Sequence, residues 1–232
     1  MIIRQRAIQA EDKQERHHAI LDAAERLLLR STDRIANVAE VADEAGLAKG
    51  TVYLYFPSKE ELLLAVHERN IDAFFRALNE RLASDRPTAI GDVLALTHEH
   101  MVEPPLFLPL AARCFGLMGQ SVPVAAGRAF KQRMAQRIGE AGAGLERHFP
   151  ELNPGGGVAL LRHSFALIIG LWQMSAESAG QGHDCPLADG DASPVFSYSY
   201  AAELDRALLA LWNGTMAGAA AAAAERQEEG TS

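Results

Sequence analysis

The chain has 232 residues, 48% of them hydrophobic, enough for a sizeable core divided into one small head and one larger body. Its net charge of −8 argues against a strongly basic, non-specific nucleic-acid binder. The charge is uneven, however: residues 1–60 hold 9 Lys/Arg against 10 Asp/Glu (−1), and residues 61–232 hold 13 against 20 (−7).

The polar start, to about residue 12, is expected to be a mobile arm whose Arg4 and Arg6 can follow DNA. It lacks an apolar signal core, and the longest apolar stretch, 158–174, is interrupted by Arg162 and His163, so a cytoplasmic soluble protein is expected. Residues 14–31 read as an opening helix, with Ile20, Ala23, Ala24, Leu27 and Leu28 at helical spacing.

The run 37–61, NVAEVADEAGLAKGTVYLYFPSKEE, is the most informative. Asn37 can cap a helix beginning at Val38, and Glu40, three residues on, can reach back to the Asn37 N–H as a capping-box variant. Gly46 ends that helix, because a residue without Cβ adopts the left-handed C-terminal conformation with little strain. A second helix restarts at Lys49 and stops before Pro57, and Ser58 with Glu61 forms another capping box that launches a long helix at Lys59. Two short helices joined by a tight turn read as a helix-turn-helix, whose second helix enters the DNA major groove. Lys49 then offers a phosphate or guanine contact, Gly50 allows close backbone approach, and Thr51, Tyr53 and Tyr55 reach phosphates or base edges. Asn37 at one helix start can touch a phosphate, and Lys59 at another adds a cation to free backbone N–H groups. The competing assignment makes Tyr53 and Tyr55 packing residues, Tyr55 the more so, and leaves Lys49 and Lys59 merely solvated.

These residues carry a family resemblance. Ala23-Ala24, then Val41-Ala42-Asp43-Glu44-Ala45-Gly46, then Lys49 through Phe56, then Ser58-Lys59-Glu60-Glu61-Leu62 resemble the DNA-binding head of the TetR family of transcriptional regulators. Two positions depart from the family pattern: Ala48 stands where Ser or Thr is frequent, removing a hydroxyl, and Asn37 stands for Thr. The resemblance implies an all-helical remainder, a homodimer joined through a four-helix interface, and most often a repressor.

The helix from Lys59 carries Leu62, Leu63, Val66, Ile71, Phe74, Phe75 and Leu78 to about residue 84 and connects head to body. Beyond Pro87, helical stretches are expected at 88–102, 106–117, 124–148, 156–180 and 197–224, a loop at 181–194, and a frayed end after the alanine-rich 217–224. No period-two pattern of sheet length appears, so the fold class is all-α with about nine helices. The expected organisation is an arm and DNA-binding head over 1–58, a connecting helix over 59–84, a ligand-binding and dimerisation body over 85–225 and a tail over 226–232.

Two helices look built for pairing: Val158, Leu161, Phe165, Ile168, Ile169 and Trp172 stripe one, and Tyr200, Leu204, Leu208 and Leu211 stripe the other. One side can serve the monomer core and the other a four-helix interface with a second subunit, the competing assignment being burial wholly within the monomer. A dimer of readers calls for a palindromic operator. Among the remaining helices His98, Met101, Phe107, Phe115, Met118, Phe165 and Trp172 can line a mostly apolar cavity for a small-molecule effector, or can simply be core. The cysteines, Cys114 and Cys185, lack CxxC spacing and indicate neither a disulfide framework nor a zinc finger. His98 and His100 are two residues apart on different helix faces, so no metal and no cofactor is expected, and no nucleophile elbow or phosphate loop supports catalysis. Two alternatives remain at this level: a DNA-binding dimer without a ligand, and an all-helical enzyme using the cluster from His98 to Glu103.

Overall fold

The computed structural model describes residues 2–30, 37–117, 121–175 and 198–229, with side chains for 12–30, 37–117, 121–175 and 198–218. Among the described residues are nine α-helices, one π-helical turn and no strand. In chain order they are α1 (Ile2–Arg30), α2 (Val38–Ala45), α3 (Lys49–Tyr55), α4 (Lys59–Ala83), α5 (Ile90–Thr97), the π turn (His98–Val102), α6 (Phe107–Leu117), α7 (Val124–His148), α8 (Gly156–Met174) and α9 (Tyr200–Glu229).

Three boundaries depart from expectation. The arm expected up to residue 12 is the first part of α1, and the end expected to fray continues α9 to Glu229. Both stretches lack Pro and Gly and are rich in Ala, Arg, Gln, Lys and Glu, residues that lose little on entering a helix. The single helix expected over 88–102 is α5 followed by a π turn, closed by the Glu103 N–H donating to the His98 carbonyl at 2.9 Å. The loop expected at 181–194 and the end of the helix expected at 156–180 fall at residues 176–197, outside the described residues.

The head core joins Ile20, Leu21, Ala23, Ala24 and Leu28 of α1 to Val38, Val41 and Ala42 of α2, Val52 and Phe56 around α3, and Leu62, Leu63 and Val66 of α4. Farther along the same α4, Ile71, Phe74, Phe75, Leu78 and Leu82 turn into the body core. There α8 packs between α7 and α9. The Tyr200 hydroxyl donates to the Ile168 carbonyl (2.9 Å) and the Trp212 indole N–H donates to Ser164 Oγ (3.0 Å), fixing the register of α9 on α8. By length and composition alone α8 could cross a membrane, but in this fold it is a core helix.

The α7–α8 crossing depends on two glycines. A Cβ on Gly142 would stand 2.7 Å from the Val158 amide nitrogen, and one on Gly157 would collide with the Gly142 carbonyl. Backbone has no rotamer to give, so the helices would have to separate. Gly139, one turn earlier on α7, has nothing within 4 Å of its added Cβ. Gly157→Ala should therefore cost about 1–3 kcal/mol or more in urea unfolding, whereas Gly139→Ala should be neutral or stabilising by up to ~1 kcal/mol.

Candidate DNA-reading unit and ligand cavity

Local chemistry builds the reading unit. Asn37 Oδ1 accepts the N–H groups of Ala39 (2.9 Å) and Glu40 (3.0 Å), and Glu40 Oε2 accepts the Asn37 N–H (2.8 Å), a complete capping box. Gly46 closes α2 at φ 66°, in the left-handed region, with its N–H returned to α2 carbonyls. Arg26 and Arg30 of α1 bind the Glu44 carboxylate at 2.8 and 2.7 Å, and these hydrogen bonds, Arg30 first, hold its pKa below the usual range. Ala48 supplies no side-chain cap, so α3 starts on backbone alone, with the Thr51 N–H donating to the Ala48 carbonyl at 2.8 Å. Ser58 Oγ accepts the Glu61 N–H (3.1 Å), but the Glu61 carboxylate takes the serine hydroxyl, so the second expected box is only half formed.

Val52 is fully buried and anchors α3, leaving Lys49, Gly50, Tyr53 and Leu54 exposed. Lys49 Nζ lies 5.8 Å from the Tyr53 ring centroid. Thr51 is half-buried at the edge of this face. Tyr55 is half-buried and turned back toward the His17 ring at 6.3 Å, so it supports the head core more than it offers itself outward. Lys59 is exposed at the start of α4, and Asn37 is exposed at the start of α2. Sequence reasoning passed over Leu54, at 85% exposure the most exposed large apolar residue among the described residues and beside Tyr53. Its signal was its place on a seven-residue helix whose single buried position is Val52.

Beneath the head, two adjacent residues of α4 grip different neighbours. Arg69 meets Asp22 and Glu25 of α1, both at 2.5 Å. Glu68 takes both Arg133 nitrogens (2.5 and 2.6 Å) and Arg137 (3.0 Å) of α7, and Asp72 pairs with Arg137. Burial opposes the Glu68 charge, yet the two arginines outweigh it and hold its pKa low.

Within the body is a cavity of about 330 Å³. Ile71, Phe74 and Phe75 of α4, Met101 of the π turn, Phe115 of α6, Met134 and Ile138 of α7, Leu161, Phe165 and Ile168 of α8, and Leu208 and Trp212 of α9 make it apolar. His67 of α4 also lines it, 1% exposed, with Nδ1 buried and without a hydrogen-bond partner, and burial pushes its pKa down to about 4, Glu68 opposing. Cys114 sits in the wall with its thiol pushed up to about 12 by burial, and so is inert. A cleft of about 590 Å³ between head and body is wider but is lined by Glu68, Arg69, Asp72 and Arg133, all already paired.

Residues 20–66 match the family model described as bacterial regulatory proteins of the tetR family, and residues 68–219 match the tetracyclin repressor-like C-terminal domain. The chain belongs to the TetR family. It is a helix-turn-helix transcriptional regulator, not an enzyme. The chain is similar to the regulator YuxN of Bacillus subtilis, 35% identical over 91 residues, covering 38% of this chain and 31% of that protein. It is similar to the fatty acid metabolism regulator protein of Bacillus subtilis, 27% identical over 88 residues (38% and 45%), and to the transcriptional activator FasR of Mycolicibacterium smegmatis, 34% identical over 70 (30% and 32%). The matches span less than half the length of these curated relatives. A TetR-family structure from Mesorhizobium loti superposes with TM-score 0.57 at 17% identity, covering 88% of this chain and 96% of that one, and shares the fold.

On this TetR-family body the residues expected around the ligand divide. Met101, Phe115 and Phe165 line the cavity. His98 does not: the π turn carries it to Asp205 of α9 at 2.6 Å. Phe107 is fully buried against the His67 ring, outside the lining, and Trp172 is buried near the α8 C-terminus. Met118 lies outside the described residues. Lining residues missed by sequence reasoning include His67 and Trp212, both at helical core spacing and indistinguishable there from filler. The pairing stripe needs correction too, because Leu161, Ile168, Ile169, Trp172, Tyr200, Leu204 and Leu208 are buried within the single chain. Of these, Leu161, Ile168 and Leu208 also line the cavity, while Val158, Phe165 and Leu211 are half-buried. Among the described residues no three His, Cys, Asp or Glu converge on a metal position.

The buried His67 gives a pH signature. Its folded pKa of about 4 lies below the ordinary 6.5, so protons bind the unfolded chain preferentially. Stability is full above pH 6.5 and falls as pH drops toward 4, by an amount on the order of 3 kcal/mol for this group. Urea midpoints measured from pH 7 to pH 4.5 should fall more steeply for the parent than for His67→Phe.

Proposed function

We propose that this TetR-family regulator is a cytoplasmic homodimeric repressor that binds a palindromic operator and is released from it by a small, mostly apolar ligand. The observation that carries the reading is that α4 does two jobs: its N-terminal part closes the head core behind α3, and its later turns form one wall of the apolar cavity. A ligand filling that cavity presses on the helix that aims the reader. If the ligand prefers the DNA-incompetent arrangement about 100-fold, it shifts the equilibrium by ~2.7 kcal/mol, and DNA must weaken ligand binding by the same factor.

Pairing is proposed through the outward faces of α8 and α9. Ala166 and Gly170 of α8 and Ala202, Ala210 and Gly214 of α9 lie away from the core, and such small residues allow close helix approach, with the exposed Leu209 beside them offering apolar surface to cover. Two heads joined there would read half-sites about one helical turn apart, ~34–36 Å. Asn37, Lys49, Gly50, Thr51, Tyr53 and Lys59 are proposed as the DNA-contacting set, with Leu54 added for contact with a thymine methyl and Tyr55 in a supporting role. The residue ranges proposed are 1–58 for the head, 59–84 for the connecting helix, 85–225 for the body and 226–232 for the tail.

Tyr53→Ala and Thr51→Ala should weaken operator binding by roughly 1–3 kcal/mol each where a base contact is lost, leaving the dimer intact. Lys59→Ala should weaken operator and scrambled duplex about equally and flatten the slope of log K against log salt by about one. Fluorescence anisotropy over a salt series reads both effects, with sedimentation for assembly. Folded dimers that carry all three substitutions and bind the operator like the parent would remove α3 as the reader.

A further inference from the structure

We infer that the cavity's ligand is a medium-chain monocarboxylic acid, its carboxylate seated at the end formed by His67 and Lys131 and its alkyl chain laid between α4 and α7 toward Phe75 and Ile138. This rests on the ligand-binding reading above and adds a chemical class and an orientation to it.

The orientation comes from helix direction. Glu68 pairs with Arg133 and Arg137, Asp72 with Arg137, and Leu82 receives the His148 ring at its carbonyl, so α4 and α7 run side by side in the same direction. Cavity-lining residues therefore pair level by level: His67 with Phe130, their ring centroids 6.4 Å apart, then Ile71 with Met134, then Phe74 and Phe75 with Ile138. Lys131 follows Phe130 and stands exposed at the rim. Of the lining side chains on α4 and α7, the two that carry nitrogen, His67 and Lys131, thus stand at one end, and the walls beyond them on these two helices are hydrocarbon.

The other polar groups of the lining are occupied. The Thr97 hydroxyl donates to the Val93 carbonyl (2.8 Å), and Ser164 Oγ accepts the Trp212 N–H (3.0 Å). His67, by contrast, keeps Nδ1 without a partner, and Lys131 makes no ion pair among the described residues. The lining contains no Asp or Glu. An ammonium at the rim and a buried imidazole in the same lining, with no carboxylate among the lining residues, select an anionic oxygen-bearing head and disfavour a cation. Size fixes the rest: about 330 Å³ is roughly eleven water-sized volumes, and the helical rise from Lys131 to Ile138 makes a wall ~10 Å long. That admits a chain of about eight to ten carbons with one carboxylate, and it offers no second polar station at the far end.

Isothermal titration of the full chain with decanoate, 1-decanol and decyltrimethylammonium tests the class. Decanoate should bind at least about tenfold more tightly than decanol, and the cation should not bind. Lys131→Gln, at an exposed position where folding is easily verified by circular dichroism, should lose about tenfold for decanoate and leave decanol unchanged. In the parent, the His67 ring signals of histidine-labelled protein should shift with decanoate. Equal binding of decanoate and decanol, binding of the cation, or an unaffected Lys131→Gln variant would overturn the assignment. If another apolar compound then filled the cavity and released the operator, only the ligand class would fall. If no compound bound and the operator complex never dissociated, the regulatory reading would fall with it.

Discussion

One helix belongs to two cores, and the rest of the structure is arranged around that constraint. Over its 25 residues α4 buries Leu62, Leu63 and Val66 in the head and Ile71, Phe74, Phe75, Leu78 and Leu82 in the body. Neither core closes without it. Because a helix is stiff over a few turns, a displacement at Phe74 must be absorbed by the body or passed on to Leu62, and a close-packed interior absorbs little. Within the head the packing runs in series: α3 rests on α2, α2 on α1, and α1 on α4.

The neighbouring residues Glu68 and Arg69 show how the two cores are joined. Arg69 ties α4 to α1 and Glu68 ties it to α7, so a change in one attachment is felt one residue from the other. The cavity begins at His67, immediately before them. Packing, charge pairing and ligand space therefore meet within three consecutive residues, the part of α4 where motion of the body would first reach the head.

Local chemistry was legible in the sequence wherever it was self-contained. Asn37 and Glu40 fixed the start of α2, Gly46 its end, and the Pro and Gly spacing marked α7 to the residue, because caps and breakers act within a few positions. Tertiary partners were not legible. An apolar stripe such as Leu161, Ile168 and Trp172 states that a helix has a buried face but not whether the cover is its own chain or a second copy, and here its own α9 covers it. His98 failed for a related reason: its ring is drawn to Asp205 of α9, a partner that spacing along its own helix does not reveal. His67 was invisible as a cavity group because its polarity matters only once the residues around it are seen to offer it no hydrogen bond.

The way charge and hydrocarbon are shared along α4 determines which of them steers the head. The head–body cleft is walled by His17, His18, Tyr55, Arg69 and Arg133, and the ion pairs along it are partly exposed, so each is screened by solvent and contributes little directional stiffness. Arg133, half-exposed in its pair with Glu68, can follow a shift of α4 by changing rotamer. The aromatic side chains Phe74 and Phe75 are buried and border the cavity, so the packing they find depends on what fills that space. On the proposed function, the ion pairs would keep head and body attached through a change of angle, and the packing around the cavity would select that angle. An occupant of the apolar space would then, on the same proposal, act through its shape while the charged contacts stay formed.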